Sequence, residues 1–168
     1  MITNHGHKLF FALWPGDAER NALARLQDDV RGRLTPRGKL HLTLAFLGQQ
    51  PAERLPQLLD ILHALPLAPM RLEIDCYGYF TRPRIAWAGM TQPPPELATL
   101  HAELMLRLQQ AGIAAAAHDA FRPHITLARE AKTAPPPARF EAVLWHVREV
   151  ALVESMPDGE YRPIALQR

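Results

Sequence analysis

The stretch His41-Leu42-Thr43-Leu44-Ala45 returns later in the chain as His124-Ile125-Thr126-Leu127-Ala128. The two copies differ only by leucine against isoleucine at the second position. The second copy starts about half a chain length after the first, in a sequence of 168 residues. A fragment repeated at that spacing predicts two similar lobes that each contribute one copy to a shared site.

Each copy has the composition of a β-strand, along which side chains alternate between the two faces of a sheet. His41 and Thr43 are therefore expected to share one face, and His124 and Thr126 likewise. The aliphatic residues between them project to the opposite face, where helices can cover them. If the two sheets face each other, two imidazoles and two hydroxyls converge in one cleft.

The remainder of the chain predicts about seven strands and three helices in mixed order, which favours an α+β fold over a doubly wound sheet. The predicted strands cover residues 8–14, 40–47, 70–80, 84–90, 121–129, 140–154 and 160–166. The predicted helices cover residues 17–31, a segment that opens at Pro51, and residues 96–111. We expect residues 1–168 to form a single domain built of two lobes.

Composition narrows the class of protein only a little. Apolar residues make up 48% of the chain and charged residues 21%, as in an ordinary globular protein. The lone Cys76 excludes an intrachain disulfide, and neither a membrane-spanning stretch nor a signal peptide is evident, so we expect a cytoplasmic protein. The formal charge of +2, with arginines beside both repeats, permits a phosphate-bearing partner without requiring one.

Two histidines opposed across a cleft suit displacement at phosphorus. An unperturbed imidazole titrates near pH 6.5, so at neutral pH one ring can be neutral while the other is protonated. The neutral ring can accept a proton from a nucleophile, and the charged ring can protonate the leaving oxygen. The two threonine hydroxyls can donate to the non-bridging oxygens. This chemistry predicts His41 and His124 as catalytic residues, with no cofactor and no metal required.

Other candidate residues are less convincing. The pair His118-Asp119 is also found in metal phosphohydrolases, but the further ligands of such a site are not evident. Ser155 lacks the surroundings of an acyl-transfer nucleophile. The absence of a glycine-rich phosphate loop argues against the use of ATP. Three further histidines are expected to be surface or core residues: His63, His101 and His146.

At these residues the sequence resembles the two-histidine phosphoesterase superfamily, and within it the RNA 2′,3′-cyclic phosphodiesterases, also named 2′-5′ RNA ligases. Four segments carry the resemblance: KLFFAL from Lys8, HLTLAFLG from His41, RPHITLAR from Arg122, and the spaced Glu154-Ser155, Gly159 and Tyr161. An alanine-rich stretch before the second repeat departs from the family pattern. The paired His-x-Thr motifs are the specific part of the resemblance.

The resemblance implies two pseudo-symmetric lobes of antiparallel sheet with outer helices around a central cleft. It also implies hydrolysis of RNA 2′,3′-cyclic phosphate ends to 2′-phosphomonoesters, with reversal to form 2′-5′ linkages. In this reaction His41 is assigned to protonate the ribose 3′-oxygen and His124 to activate water, although the sequence does not fix that order. Thr43 and Thr126 would bind the phosphate. The expected partners are RNA ends or nucleoside 2′,3′-cyclic phosphates, bound by a monomer away from membranes.

Two further substrate-binding residues are predicted, Arg129 and Phe46, and the same objection applies to both. The resemblance implies that Arg129 binds the phosphate, and Phe46 is expected either to stack on a base or to pack in the core. Each lies five positions after its histidine. Strict alternation puts an odd spacing on the wrong face, so the strand must end or twist for either assignment to hold. Phe10 is expected to lie in the core.

Two other interpretations of the site remain open. The cleft could bind RNA or nucleotide ends without turning them over, as a binding module. It could also belong to a two-histidine enzyme that acts on another cyclic phosphate or on a 2′-5′ oligonucleotide.

Overall fold

A computed structural model describes residues 6–116 and 120–167. The strands are β1 (His7–Leu13), β2 (Arg33–Leu34), β3 (Leu42–Gln50), β4 (Met70–Ile74), β5 (Cys76–Phe80), β6 (Ile85–Gly89), β7 (Ile125–Arg129), β8 (Val143–Val147), β9 (Val150–Ser155) and β10 (Tyr161–Gln167). The helices are α1 (Asp17–Arg25), α2 (Leu55–Ala64) and α3 (Pro95–Gln110). These elements confirm the α+β class.

One large antiparallel sheet runs in the order β10-β9-β1-β3-β7-β6-β5, and β2 also pairs with β7. Strands β10, β9, β1 and β3 form one half, and β7, β6, β5 and β2 form the other. The halves are joined by one residue pair, Leu42 on β3 opposite Ile125 on β7. The two predicted lobes are therefore present, but they are halves of a continuous sheet. The two motifs do not need facing sheets to converge, because they lie side by side in one sheet.

Strand β1 is buried on both faces, which explains its continuous apolar sequence. Leu9, Phe11 and Leu13 enter the main core, while Phe10 and Ala12 enter a second cluster on the other face. The second cluster also contains Ala151 and Val153 of β9, with Trp14, Tyr161 and Leu166 packed against it. The face of the sheet opposite the main core therefore also carries an apolar cluster, next to the first repeat.

Two predicted strands are each broken into two. Residues 70–80 divide at Asp75, whose carboxylate accepts hydrogen bonds from the backbone N–H and the hydroxyl of Thr91 at 2.9 and 2.6 Å. Residues 140–154 divide between β8 and β9. The pieces β4 and β8 then pair with each other in a separate two-stranded sheet. A run of apolar residues cannot reveal such a change of partner.

The first helix is shorter than residues 17–31, because the chain tightens into a 3₁₀ turn at Leu26–Asp29. Gln27 is buried within that turn, and its side-chain amide donates to the carbonyls of Thr35 and Leu127 at 2.8 and 3.0 Å. Gln27 thus ties the first helical segment to the second repeat. Among the described residues, no helix is both long and apolar enough to span a bilayer.

Candidate active site

The two repeats meet at the junction of the two sheet halves. The central residues of the motifs, Leu42 and Ile125, are direct partners in antiparallel register and are both fully buried. Because side chains alternate along a strand, the flanking histidines and threonines project to the opposite face of the same sheet. Antiparallel pairing also sets the motifs head to tail, so each threonine lies toward the histidine of the other motif. This junction brings the two motifs side by side on one face of the sheet.

Hydrogen bonds fix the His41 ring. Its Nδ1 lies 2.6 Å from the carbonyl oxygen of Lys39, and its Nε2 lies 2.8 Å from the hydroxyl of Thr43. A carbonyl oxygen can only accept, so Nδ1 carries the proton. In the neutral ring Nε2 is then the acceptor, and the Thr43 hydroxyl donates to it. The contact confirms that His41 and Thr43 share one face.

The surroundings of His41 hold it neutral. Its pKa is lowered from 6.5 to about 4, chiefly because the ring is removed from water. The Lys39 carbonyl opposes this decrease, since it accepts a hydrogen bond from the protonated ring. The positive charges of Arg20, His124 and Arg129 lower the pKa further. That influence also indicates that the second histidine and Arg129 lie close enough for their charges to act on His41.

His124 repeats the geometry of His41. Its Nδ1 lies 2.7 Å from the carbonyl oxygen of Arg122, again two residues before the histidine. The same tautomer follows, with Nε2 as the unprotonated nitrogen of the neutral ring. Phe80 stands edge-on to the ring at 5.1 Å between centroids, and Trp87 lies at 5.9 Å. Both histidines are thus oriented by a backbone carbonyl and supported by aromatic rings.

A β-bulge follows each threonine. On β3 the register with β1 shifts so that Ala12 pairs with Thr43 and Phe11 with Ala45. On β7 the register with β6 shifts so that Trp87 pairs with Thr126 and Ala86 with Ala128. In each case one leucine is left over, and the alternation of faces is offset by one residue. The extra residues are Leu44 and Leu127.

These bulges answer the objection from odd spacing. Phe46 is 41% exposed, and its ring stacks on Phe10 at 6.3 Å between centroids. Phe10 in turn lies 4.9 Å from the His41 ring, so Phe46 is on the histidine side of the sheet. Arg129 is exposed, and its charge acts on His41. The structure therefore places both residues next to the site, while their contacts with substrate stay predictions.

Sequence reasoning missed several residues that support the His41 ring. Trp14 lies stacked at 6.0 Å and Tyr161 edge-on at 5.6 Å. Phe10, only 2% exposed, is a core residue as predicted, although its cluster is on the cleft side of the sheet. Tyr161 was part of the family pattern, so its position there was a usable signal. Trp14 had no such signal, because it closes an apolar strand like any buried aromatic residue.

Arg20 was also missed. It is 5% exposed, its Nη1 donates to the carbonyls of Arg37 and Leu40 at 2.9 and 2.8 Å, and its guanidinium lies 4.6 Å from the centroid of Trp14. Burial lowers the pKa of Arg20, and the nearby charge of Arg37 lowers it further. A charged residue in the middle of a helix is normally predicted to be solvated, so sequence alone does not indicate this buried role.

Two of the histidines set aside earlier lie on helices α3 and α2, outside the strands that carry the repeats. His101 stacks on Phe121 at 3.8 Å between ring centroids, and His63 is exposed on α2. The pair His118-Asp119 lies outside the described residues. In the described part of the chain, no three His, Cys, Asp or Glu side chains are grouped as metal ligands would be.

The sheet topology and the paired motifs define the class of protein as a two-histidine phosphoesterase. The chain belongs to the 2′-5′ RNA ligase superfamily, whose family model matches residues 15–158. It is 35% identical over 173 residues to an RNA 2′,3′-cyclic phosphodiesterase of Thermus thermophilus, covering 88% of this chain and 81% of that protein. It is 38% identical over 109 residues to the protein of the same name in Escherichia coli, covering 63% of this chain and 61% of the relative.

Solved structures give the same result for the fold. LigT of Escherichia coli in apo form superposes with a TM-score of 0.86 at 31% identity, covering 97% of each chain. LigT complexed with 3′-AMP superposes with a TM-score of 0.85 at 30% identity, covering 96% of this chain and 97% of that one. The predicted family and fold are confirmed.

Proposed function

We propose that this chain hydrolyses RNA 2′,3′-cyclic phosphate ends to 2′-phosphomonoesters. The observation that carries the proposal is the matched pair of imidazoles, each with Nδ1 bonded to the carbonyl two residues before it, at the junction of the sheet halves. Relatives at 35% and 38% identity are named RNA 2′,3′-cyclic phosphodiesterases. Paired, oriented imidazoles are what an acid–base displacement at phosphorus needs.

In the proposed reaction a water molecule attacks phosphorus while the bond from phosphorus to the ribose 3′-oxygen breaks. One Nε2 accepts the proton from water, and the other Nε2 donates a proton to the departing 3′-oxygen. Thr43, whose hydroxyl turns away from His41 Nε2 when substrate binds, and Thr126 donate hydrogen bonds to the non-bridging oxygens, and Arg129 balances their charge. If the 5′-hydroxyl of an RNA strand replaces water, the same steps form a 2′-5′ linkage.

The structure bears on the order of the two histidines. His41 is neutral and its Nε2 accepts a hydrogen bond, which suits a base and opposes the order assigned from the sequence. A bound cyclic phosphate would raise the pKa of both histidines, because its negative charge favours the protonated rings. The order therefore depends on the liganded site, and a leaving-group substitution can determine it.

The proposal is tested by incubating the purified chain with adenosine 2′,3′-cyclic phosphate and identifying the product isomer by NMR. We expect a 2′-monophosphate, formed at the same rate with and without a chelator. A 3′-monophosphate product would contradict the predicted leaving group. Binding of the cyclic nucleotide without turnover would favour the binding module instead.

Three further expectations accompany this proposal. We propose that residues 1–168 act as one bilobal unit, since each sheet half contributes one histidine to the site. The monomeric state and the cytoplasmic location remain predictions from the sequence.

A further inference from the structure

A second charged feature lies beside the site, at the end of β7. A cavity of ≈ 450 Å³ is lined there by the cations Arg33, Arg84, Arg129 and Lys132 and by the single carboxylate of Glu130. We call this cavity the basic groove. Three separate segments of the chain supply it: β2, the turn between β5 and β6, and the end of β7 with the loop after it. Its charge is therefore assembled by the tertiary fold.

Two of these cations are direct neighbours across strands. Arg33 on β2 is the register partner of Arg129 on β7. Like charges directly opposite on antiparallel strands destabilise a sheet. The one nearby carboxylate compensates weakly, because the contact of Glu130 with Arg33 is 3.5 Å and both side chains are well exposed. The basic groove therefore has an excess of positive charge that an anion would neutralise.

The backbone holds the basic groove in a close and strained arrangement. Gly32 has φ +132°, and a Cβ there would lie 2.7 Å from the carbonyl oxygen of Arg129. Glu130 has φ 53°, a left-handed conformation that is rare for a residue with a long side chain. The next residue, Ala131, donates its N–H to the carbonyl of Arg84 at 3.1 Å. Strain that packing enforces in this way is typical of functional segments.

Hydrogen bonds also hold the basic groove next to the catalytic junction. Thr35, just after β2, donates from its hydroxyl to the carbonyl of Thr126 at 2.9 Å and from its N–H to the carbonyl of Leu127 at 2.9 Å. Arg129 itself lies within electrostatic range of His41. An anionic chain with its end at the histidines would have this positively charged path next to it.

We propose that the basic groove binds the phosphate backbone of the RNA strand that precedes the cyclic end. The inference rests on the proposed function and extends it from the reacting nucleotide to the rest of the substrate. Arg129 would contact the terminal phosphate, and Arg33, Arg84 and Lys132 would contact the phosphates before it. The chain would then act better on an oligonucleotide than on a mononucleotide.

The test compares kcat/KM for an oligoribonucleotide that ends in a 2′,3′-cyclic phosphate with kcat/KM for the matching nucleoside 2′,3′-cyclic phosphate. We expect the wild-type chain to favour the oligonucleotide and to lose that preference as salt is raised, since phosphate contacts release counterions. Arg33→Ala, Arg84→Ala and Lys132→Ala should each lower the ratio on the order of threefold at low salt, and each should flatten its salt dependence. Glu130→Gln should raise the ratio.

Arg71→Ala is the matched control, because it removes an exposed arginine from β4 in the separate sheet, where Arg71 contacts Glu73 at 2.9 Å. It should leave the ratio at the wild-type value. An unchanged ratio in all three groove variants, or a wild-type chain without preference for the oligonucleotide, would overturn the basic groove as an RNA site. Turnover of the mononucleotide reports separately on the proposed function, so failure of one does not imply failure of the other.

Discussion

In the first half-site the His41 ring packs among Phe10, Trp14 and Tyr161, and the first residue beyond the bulge on the histidine face is Phe46. In the second half-site the His124 ring contacts Phe80 and Trp87, and the first residue beyond the bulge on the histidine face is Arg129. The hydrogen bond from Nδ1 to the carbonyl two residues before it is the same in both.

The two half-sites share their backbone geometry and differ in the side chains beyond it. Each histidine ring is oriented by the same contact with a backbone carbonyl, and each motif is followed by a bulge of one residue. The first residue on the histidine face beyond each bulge then differs in chemistry, with an aromatic ring on one side and a guanidinium on the other. In the proposed function, these two side chains would contact the base and the phosphate of the nucleotide.

Removal of either imidazole should have the largest effect. His41→Ala and His124→Ala should each lower kcat for a nucleoside 2′,3′-cyclic phosphate about 10³-fold, within the range of acid–base catalysis. A substrate whose 3′-oxygen is replaced by sulfur has a leaving group that needs less protonation. That substrate should restore the rate only in the variant that lacks the acid. Steady-state kinetics with both substrates measures the effect.

The control for this pair is His63→Ala, which removes an exposed histidine of α2 and should keep the wild-type rate. Rescue of both histidine variants, or of neither, would contradict a division of acid and base between the half-sites.

Substitution of Arg129 and Phe46, the residues beyond the bulges on the histidine face, should give the next largest effects. Arg129→Ala should lower kcat/KM about 10²-fold, since it removes a charged donor to the phosphate. Phe46→Ala should raise KM about tenfold, in line with the loss of one base-stacking contact. Ribose 2′,3′-cyclic phosphate, which has no base, distinguishes the two roles by kinetics. With it the Phe46 effect should disappear and the Arg129 effect should persist, and the reverse result would refute both assignments.

The geometry of the repeat could be predicted from the sequence to a larger extent than the residues that surround it. The motif predicted that His41 and Thr43 share one face, which the structure confirms, and it carried the family resemblance that the comparisons confirm. It did not give the bulges, because a leucine in a bulge has the same sequence signature as a leucine in a regular strand. It did not give the joined sheet either, since pairing between β3 and β7 depends on contacts 83 residues apart in the chain.

The residues that pack around the two histidine rings were even harder to predict from the sequence. Trp14, Arg20 and Trp87 act through packing that becomes visible only when the strands are paired. Arg20 is the clearest case, because its burial depends on carbonyls at the end of a distant turn. Local sequence patterns predict which face of a helix or strand is apolar. They do not predict which polar side chain becomes buried among apolar residues in the folded chain.

A smaller effect on kcat is expected from substitution of Gly78, the glycine against which the Trp87 ring packs. Gly78 is the register partner of Trp87, and a Cβ there would lie 2.0 Å from the indole ring. Gly78→Ala should displace Trp87 from His124 and lower kcat about tenfold, as small misplacements of catalytic groups do. The change should be visible in tryptophan fluorescence together with kcat.

Gly38→Ala is the counterpart in the first half-site, where an added Cβ would meet nothing within 4 Å. It should leave both readouts at their wild-type values. Wild-type kcat in the Gly78 variant would show that the indole does not support His124.

The smallest effect concerns the charge of His41. Because burial and then nearby positive charges hold its folded pKa near 4 instead of 6.5, the unfolded chain takes up a proton there first as pH falls. The stability contributed by neutral His41 is therefore complete above about pH 6.5 and is lost as pH falls toward 4. Arg20→Met removes a positive charge and should raise the His41 pKa by a few tenths of a pH unit, whereas Arg20→Lys keeps the charge and should not. NMR titration of the His41 ring measures both, and equal values in the two variants would show that Arg20 acts on His41 by packing and not by charge.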